Sequence, residues 1–141
     1  MTSNIIKVIH TGISVENMDE SIVWYEKNLG FHVIKDEYAS PLGARVVFIR
    51  RDDLDYEIEL FQYNDPKALP DERRMPNSDL QTIGTKHVAF LTDDMHLLKK
   101  GLLENGVDIA HEVHMGTSAV MFIRDCNGVL IEFIQETDSG K

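Results

Sequence analysis

Two stretches of the chain decide its fold, because they are variants of one pattern. Residues 10–30 read HTGISVENMDESIVWYEKNLG, and residues 87–106 read HVAFLTDDMHLLKKGLLENG. Each stretch starts at a histidine and closes on a glycine that follows an asparagine at a short interval. The match continues downstream, with VVFIR at 46–50 beside VMFIR at 120–124, and IELFQ at 58–62 beside IEFIQ at 131–135. This order predicts two copies of one structural unit.

The hydrophobic periodicity changes in the same order in both copies. In the first copy residues 5–13 favour a strand, Asn17 and Glu20 resemble a capping box that opens a helix, and Gly30 is suited to end it. One apolar helix face is formed by Met18, Ile22, Tyr25 and Leu29. Further strands are predicted at 31–38, 44–51 and 56–63, and the second copy repeats the pattern with strands at 85–92, 107–114, 117–124 and 129–135 and a helix from residue 95 that ends at 106.

The predicted fold class is α+β, with two tandem βαβββ modules in one domain of residues 1–141. Module one covers residues 5–63 and module two covers 85–136, while residues 64–84 form a proline-containing linker without clear periodicity. A single four-stranded module leaves one sheet face bare. The two modules are therefore expected to pack as curved mixed sheets that enclose a cleft.

Composition and charge exclude several classes of protein. The 141 residues include 43% hydrophobic and 27% charged residues, which is typical of a globular domain. The net charge of −10 disfavours nucleic acid as a partner. The longest apolar run, residues 119–123, is too short to cross a membrane. No secretory signal is visible and Cys126 is the single cysteine, so a cytoplasmic protein is expected.

A histidine and a glutamate recur at equivalent positions in the two copies. His10 and Glu59 are 49 residues apart in the first copy, and His87 and Glu132 are 45 apart in the second. One glutamate among apolar neighbours on a strand ordinarily points to solvent. Recurrence of both residue types at both positions favours a shared role. Two imidazoles and two carboxylates suit a borderline divalent metal.

Longer motifs around these residues resemble a known superfamily. Residues 10–31, IELF at 58–61, GTKHVAF at 84–90 and GVLIEF at 128–133 resemble the vicinal oxygen chelate superfamily over nearly the whole chain. The superfamily includes glyoxalase I, methylmalonyl-CoA epimerase, fosfomycin resistance enzymes, extradiol dioxygenases and bleomycin-binding proteins. The resemblance implies paired βαβββ units around a metal, in agreement with the repeat.

The resemblance also implies a site and an activity. Carried over, the metal ligands are His10, Glu59, His87 and Glu132, the two-histidine, two-glutamate set of glyoxalase I. One divalent ion of Ni, Zn, Co, Mn or Fe would bind substrate oxygens and stabilise an enolate or enediolate. Glu132 is then expected to be the principal base and Glu59 its counterpart. We therefore expect a metal-dependent lyase or isomerase of the glyoxalase I kind.

Three alternatives stay open on the residues alone. The first is an epimerase or racemase acting next to a thioester or ketone, the second a metal-dependent thiol transferase, and the third a non-catalytic binding protein. Methylmalonyl-CoA epimerases usually have Gln where Glu59 stands, and they carry a further catalytic glutamate where residues 38–43 contain none. Fosfomycin enzymes use one glutamate rather than two.

A small-molecule substrate is expected, with a glutathione or coenzyme A adduct as a candidate. Such adducts carry carboxylates or phosphates. Five basic residues are candidate partners for them, although the ordinary role of each would be solvated surface charge: Arg45, Arg50, Arg73, Arg74 and Lys86. A homodimer is expected from the resemblance. The relatives pair their modules within one chain or exchange them across a dimer, and both arrangements stay open.

Overall fold

The computed structural model describes residues 3–116 and 118–136 and divides the chain into two compact units. The first unit ends at Pro66 and the second begins at Lys67. Thr117, predicted as the first residue of a strand, lies outside the described residues. No helix within the described ranges has the length and apolar character needed to span a membrane.

The first unit is a four-stranded mixed sheet with one helix. Its elements are β1 (His10–Ser14), α1 (Met18–Leu29), β2 (His32–Ala39), β3 (Ala44–Arg50) and β4 (Glu57–Tyr63). The strand order is β1-β4-β3-β2, in which β1 and β4 are parallel and the other neighbours antiparallel. This is the βαβββ module predicted for the first copy.

The second unit has the same topology, preceded by two short helices. A 3-10 helix covers Asp71–Arg74, and the remaining elements are α2 (Pro76–Gln81), β5 (Val88–Leu91), α3 (Met95–Glu104), β6 (Asp108–Met115), β7 (Ser118–Arg124) and β8 (Leu130–Glu136). The strand order β5-β8-β7-β6 again places a parallel pair, β5 and β8, beside two antiparallel pairs. The α+β class and the βαβββ repeat are therefore confirmed.

Side chains cap the start of each main helix, and a glycine ends α1. The Asn17 side chain accepts a hydrogen bond from the Glu20 amide at 3.1 Å, and Gly30 ends α1 with a left-handed φ of 72°. In the second unit the Met95 amide donates to the Gln135 side chain at 2.7 Å. The Met18 amide donates to Gln62 in the same way in the first unit. The last strand of each unit thus satisfies an amide at the start of its helix.

Several predicted elements differ from the structure, among them the strand predicted at 85–92, which covers only Val88–Leu91. The strand predicted at residues 5–13 begins only at His10, because β4 begins at Glu57, opposite His10. The preceding residues run past the end of β4, and Ile5 and Ile6 are 83% and 96% exposed. The linker, predicted to be irregular, contains the 3-10 helix and α2. Pro76 lies in the first turn of α2, where a missing N–H costs nothing.

The alternation of side chains along β4 and β8 places each glutamate on the face of its own sheet that is opposite the buried residues. In β4, Ile58 and Leu60 are fully buried, while Glu59 between them is only half-buried. Successive side chains of a strand point to opposite faces, so Glu59 lies on the face opposite this core. Glu132 occupies the same position in β8, between buried Ile131 and Phe133.

Candidate functional site

The first histidine–glutamate pair is formed where β1 and β4 run parallel. His10 opens β1, and Glu59 lies opposite Gly12 in the register of the two strands. The His10 Nε2 and Glu59 Oε1 atoms are 3.2 Å apart. The side chains are 32% and 19% exposed, so both keep solvent-accessible surface. The structure therefore brings together two predicted ligands that are far apart in the sequence.

The second pair repeats this arrangement with one difference. The His87 Nε2 and Glu132 Oε1 atoms are also 3.2 Å apart, and the side chains are 14% and 16% exposed. His87 was expected within a strand, but β5 begins one residue later, at Val88. The histidine is therefore held by the chain entering β5 rather than by the strand ladder itself.

A phenylalanine lies against the histidine of each pair. Phe48 is the cross-strand partner of Glu59, and its ring meets the His10 ring edge-on at 5.9 Å between centroids. Phe122 is the partner of Glu132 and meets the His87 ring edge-on at 4.9 Å. An apolar residue on an inner strand is equally suited to the core and to a cleft. The equivalent places of Phe48 and Phe122 in VVFIR and VMFIR were the signal that could have assigned them.

The donor atoms of each pair fit one part of a metal coordination sphere. Ligand bonds of about 2.0–2.1 Å place neighbouring donors roughly 3 Å apart, which is close to the separation in both pairs. The same separation suits a hydrogen bond between imidazole and carboxylate, so each pair is also stable without a metal. Among the described residues, no group of three or more histidine, cysteine, aspartate or glutamate side chains is assembled. Each unit thus presents one nitrogen and one oxygen donor.

Comparison with known proteins identifies the family. The Glyoxalase/Bleomycin resistance protein/Dioxygenase superfamily matches residues 7–133. The chain belongs to this superfamily. The match contains all four residues of the two histidine–glutamate pairs, and it agrees with the sequence resemblance.

The glyoxalase-superfamily relatives have similar lengths. Lactoylglutathione lyases from Haemophilus influenzae and Escherichia coli O157:H7 are 26% and 23% identical to this chain. Each alignment covers 96% of this chain, and it covers 98% of the Haemophilus protein and 97% of the Escherichia protein. These identities are too low to transfer the lyase activity from those proteins to this chain.

Solved structures of the superfamily share the fold. A glyoxalase family protein from Enterococcus faecalis has a TM-score of 0.75 and 19% identity, with 91% of this chain and 96% of that chain covered. The trypanothione-dependent glyoxalase I of Leishmania major has a TM-score of 0.71 and 22% identity, with 93% and 87% covered. An antibiotic-binding protein from a Streptomyces species has a TM-score of 0.70 and 17% identity, with 96% and 100% covered. The fold is therefore shared by an enzyme and a binding protein.

The basic residues proposed for substrate carboxylates in this superfamily member have carboxylate partners of their own. In the first unit Arg45 binds Asp19 at 2.9 Å and Asp36 at 2.8 Å, and its hydrogen bonds hold the pKa of the Asp36 carboxyl below the usual value. Arg50 lies 3.3 Å from both Asp55 and Glu57. A substrate anion would have to compete with these internal carboxylates for either arginine.

In the second unit a buried aspartate holds two of the candidates. Asp79, on α2, is only 2% exposed. Its Oδ1 accepts a hydrogen bond from Arg73 Nε at 3.1 Å and lies 3.5 Å from Lys86 Nζ. Lys86 immediately precedes His87, so Asp79 ties α2 to the chain that carries a predicted metal ligand. Nothing in the local sequence PNSDLQ marks this aspartate as different from a surface residue.

Asp79→Ala is expected to destabilise the protein by roughly 2 kcal/mol. Breaking a buried ion pair ordinarily costs about 3–5 kcal/mol. Arg73 and Lys86 are 40% and 18% exposed, so solvent screens part of that cost. Urea unfolding of Asp79→Ala measures the change. Asp71→Ala is the matched control, because Asp71 is fully exposed and 3.9 Å from Arg74. Equal unfolding midpoints for the two variants would contradict an anchoring role for Asp79.

Proposed function

We propose that this chain is a divalent-metal-dependent lyase or isomerase that moves a proton at a carbon next to a carbonyl. The observation that carries the proposal is the repeated pair of imidazole and carboxylate, 3.2 Å apart in each unit. The family membership and the lactoylglutathione lyases among the relatives support the same class of activity.

The four side chains of the two pairs are the proposed ligands of one metal. His10 and His87 would each supply Nε2, and Glu59 and Glu132 would each supply a carboxylate oxygen. Two nitrogens and two oxygens suit Ni, Zn, Co, Mn or Fe better than Mg or Ca, which favour oxygen alone. When bound, such an ion withdraws electron density from a substrate carbonyl and makes the adjacent C–H more acidic.

The glutamates are the proposed proton carriers. Glu132 has one carboxylate oxygen beside His87, and the carboxyl group is partly exposed, so its second oxygen is the candidate acceptor of the substrate proton. Glu59 occupies the equivalent position in the first unit and serves as the counterpart that returns a proton. A positioned general base of this kind contributes about 10²- to 10⁴-fold to a rate.

The proposed substrate is a small molecule with a carbonyl next to an acidic C–H. The hemithioacetal of glutathione with a 2-oxoaldehyde has this chemistry, and its isomer is the product named in the lactoylglutathione lyases. Epimerisation next to a thioester or ketone uses the same proton transfer and is the alternative reaction. A homodimer is part of the proposal on the strength of the superfamily resemblance alone. The two complete units that four ligands need can come from one chain or from two.

The test combines two reactions measured on one protein. Protein is stripped with a chelator and reloaded separately with Ni²⁺, Co²⁺, Zn²⁺ or Mn²⁺. It is then assayed for S-lactoylglutathione formation from methylglyoxal and glutathione, and for deuterium uptake next to the carbonyl of a thioester in D₂O. Metal-dependent turnover in the first assay supports the lyase, and uptake in the second alone supports the epimerase. Metal-loaded protein that is inactive in both assays but still binds the adducts would favour a non-catalytic binding protein.

A further inference from the structure

We propose that Phe48 and Phe122 are positioning residues that fix the imidazole rings of the two histidines. Their role is to hold each Nε2 towards its glutamate, and the inference rests on the proposed function for its meaning. The ring contacts that support it involve protein side chains only and require no bound metal.

Each phenylalanine lies on the same sheet face as the glutamate of its unit. Phe122 is directly opposite Glu132 in the antiparallel register of β7 and β8, and Phe48 is opposite Glu59 in that of β3 and β4. Cross-strand partners place their side chains on the same face. The neighbours of Phe122, Met121 and Ile123, are fully buried on the other face. Each phenylalanine therefore shares the face of its glutamate.

Each phenylalanine ring meets its histidine ring edge-on. The Phe122 and His87 rings are 4.9 Å apart at 86°, and the Phe48 and His10 rings are 5.9 Å apart at 78°. Both are edge-to-face arrangements, which aromatic rings prefer and which disfavour rotation of the smaller ring. Each histidine is thus contacted by two groups, a carboxylate at Nε2 and an aromatic ring beside its plane.

The phenylalanine–histidine contact occurs once in each unit. The two units differ at many polar positions, but each has the same triad of histidine, glutamate and phenylalanine with the same partners. A residue that only filled the core would be free to differ in ring type or angle between the units. The contact is tighter in the second unit, where Phe122 is 7% exposed, so the larger effect is expected at His87.

The experiment measures the histidine rings and the metal separately. Protein labelled with ¹³C-histidine gives ring-proton shifts in the metal-free state, where the neighbouring phenylalanine contributes a ring-current shift. Loss of the ring alone moves these shifts, so the positioning role is read from the three-bond couplings across the histidine Cβ–Cγ bond, which report rotation of the imidazole. Phe122→Leu is expected to average the His87 couplings towards free rotation and to weaken metal affinity about 2- to 10-fold in a competition titration. Phe90→Leu is the matched control, because Phe90 stacks on Phe133 at 5.8 Å. The control is expected to leave both readouts unchanged.

A second substitution guards against a folding defect. Phe48 is half-buried, so Phe48→Leu is less disruptive than a change at the buried Phe122, and Phe48→Tyr keeps an aromatic ring at this position. Phe48→Leu is expected to average the His10 ring couplings towards free rotation and to lower affinity, and Phe48→Tyr to restore both. Unchanged histidine couplings and affinity in both leucine variants would overturn the proposal. If the unmodified protein binds no metal, the proposed function fails, and the histidine couplings still decide the positioning role.

Discussion

Replacing Glu132 with Gln is expected to lower proton exchange next to the substrate carbonyl by about 10²- to 10⁴-fold while metal stays bound. The amide has nearly the shape of the carboxylate and keeps an oxygen donor, but it cannot accept a proton at neutral pH. The Glu132 side chain is 16% exposed and paired with His87, so the replacement fits the same space. Deuterium incorporation into substrate in D₂O, followed by mass spectrometry, measures the exchange directly.

Two further variants define the controls. Glu112→Gln changes a glutamate of the same unit whose side chain pairs with Lys99, and it is expected to exchange protons at the unmodified rate. Glu59→Gln tests the counterpart role and is expected to slow the complete reaction more than the first proton removal. Undiminished exchange in Glu132→Gln, with metal content equal to that of the unmodified protein, would refute the assignment of this base.

Replacing His87 with Ala is expected to weaken metal affinity by more than about 100-fold. Loss of a group that only orients a ligand already costs about 10- to 100-fold, so loss of a ligand costs more. His87 is 14% exposed and in contact with both Glu132 and Phe122, so its removal leaves a polar gap at the proposed site. A competition titration against a chelating indicator gives the affinity.

The thermal midpoint provides an independent readout of the same variant. A ligand that binds only the folded state stabilises it in proportion to the logarithm of its concentration over Kd. Added metal is therefore expected to raise the midpoint of the unmodified protein and of His114→Ala, which changes an exposed histidine on β6. The same metal concentration should leave His87→Ala almost unshifted. Equal shifts in all three proteins would show that the metal binds elsewhere.

The repeat is the reason the fold was predictable from sequence. The two copies preserve the spacing of apolar residues, and the predicted helix face is buried at Met18, Tyr25 and Leu29. Local signals also placed the start of α1, where Asn17 caps the helix as its spacing from Glu20 indicates. Such signals are short-range, so they can be recognised in the chain without knowledge of tertiary contacts.

The differences arise where a tertiary partner decides the structure. Residues 5–9 have strand-like composition, but a strand needs a neighbour, and β4 begins too late along the chain to provide one. Pro76 lies in the predicted linker, which has no clear periodicity, yet it begins α2, whose buried Asp79 then binds two basic side chains. Neither partner can be inferred from the composition of the segment alone.

The sequence singled out four candidate site residues but not their geometry. Equivalent positions in the repeat singled out the two histidines and two glutamates, and the structure adds their 3.2 Å pairing within each unit. The phenylalanines were harder to assign, because an apolar residue on an inner strand suits the core equally well. Only the cross-strand register shows that Phe48 and Phe122 share a face with the glutamates.

The most direct measurement is elemental analysis of metal in untagged protein and in the His10→Ala variant after gel filtration. We expect about one Ni, Zn, Co, Mn or Fe per chain in the unmodified protein, with nearly all of it lost in the variant, because the proposed site assigns all four side chains to the same ion. Absence of metal in the unmodified protein, even after reconstitution, would contradict the account. So would a fall from two ions per chain to one, since that result would mean that each histidine–glutamate pair binds its own metal.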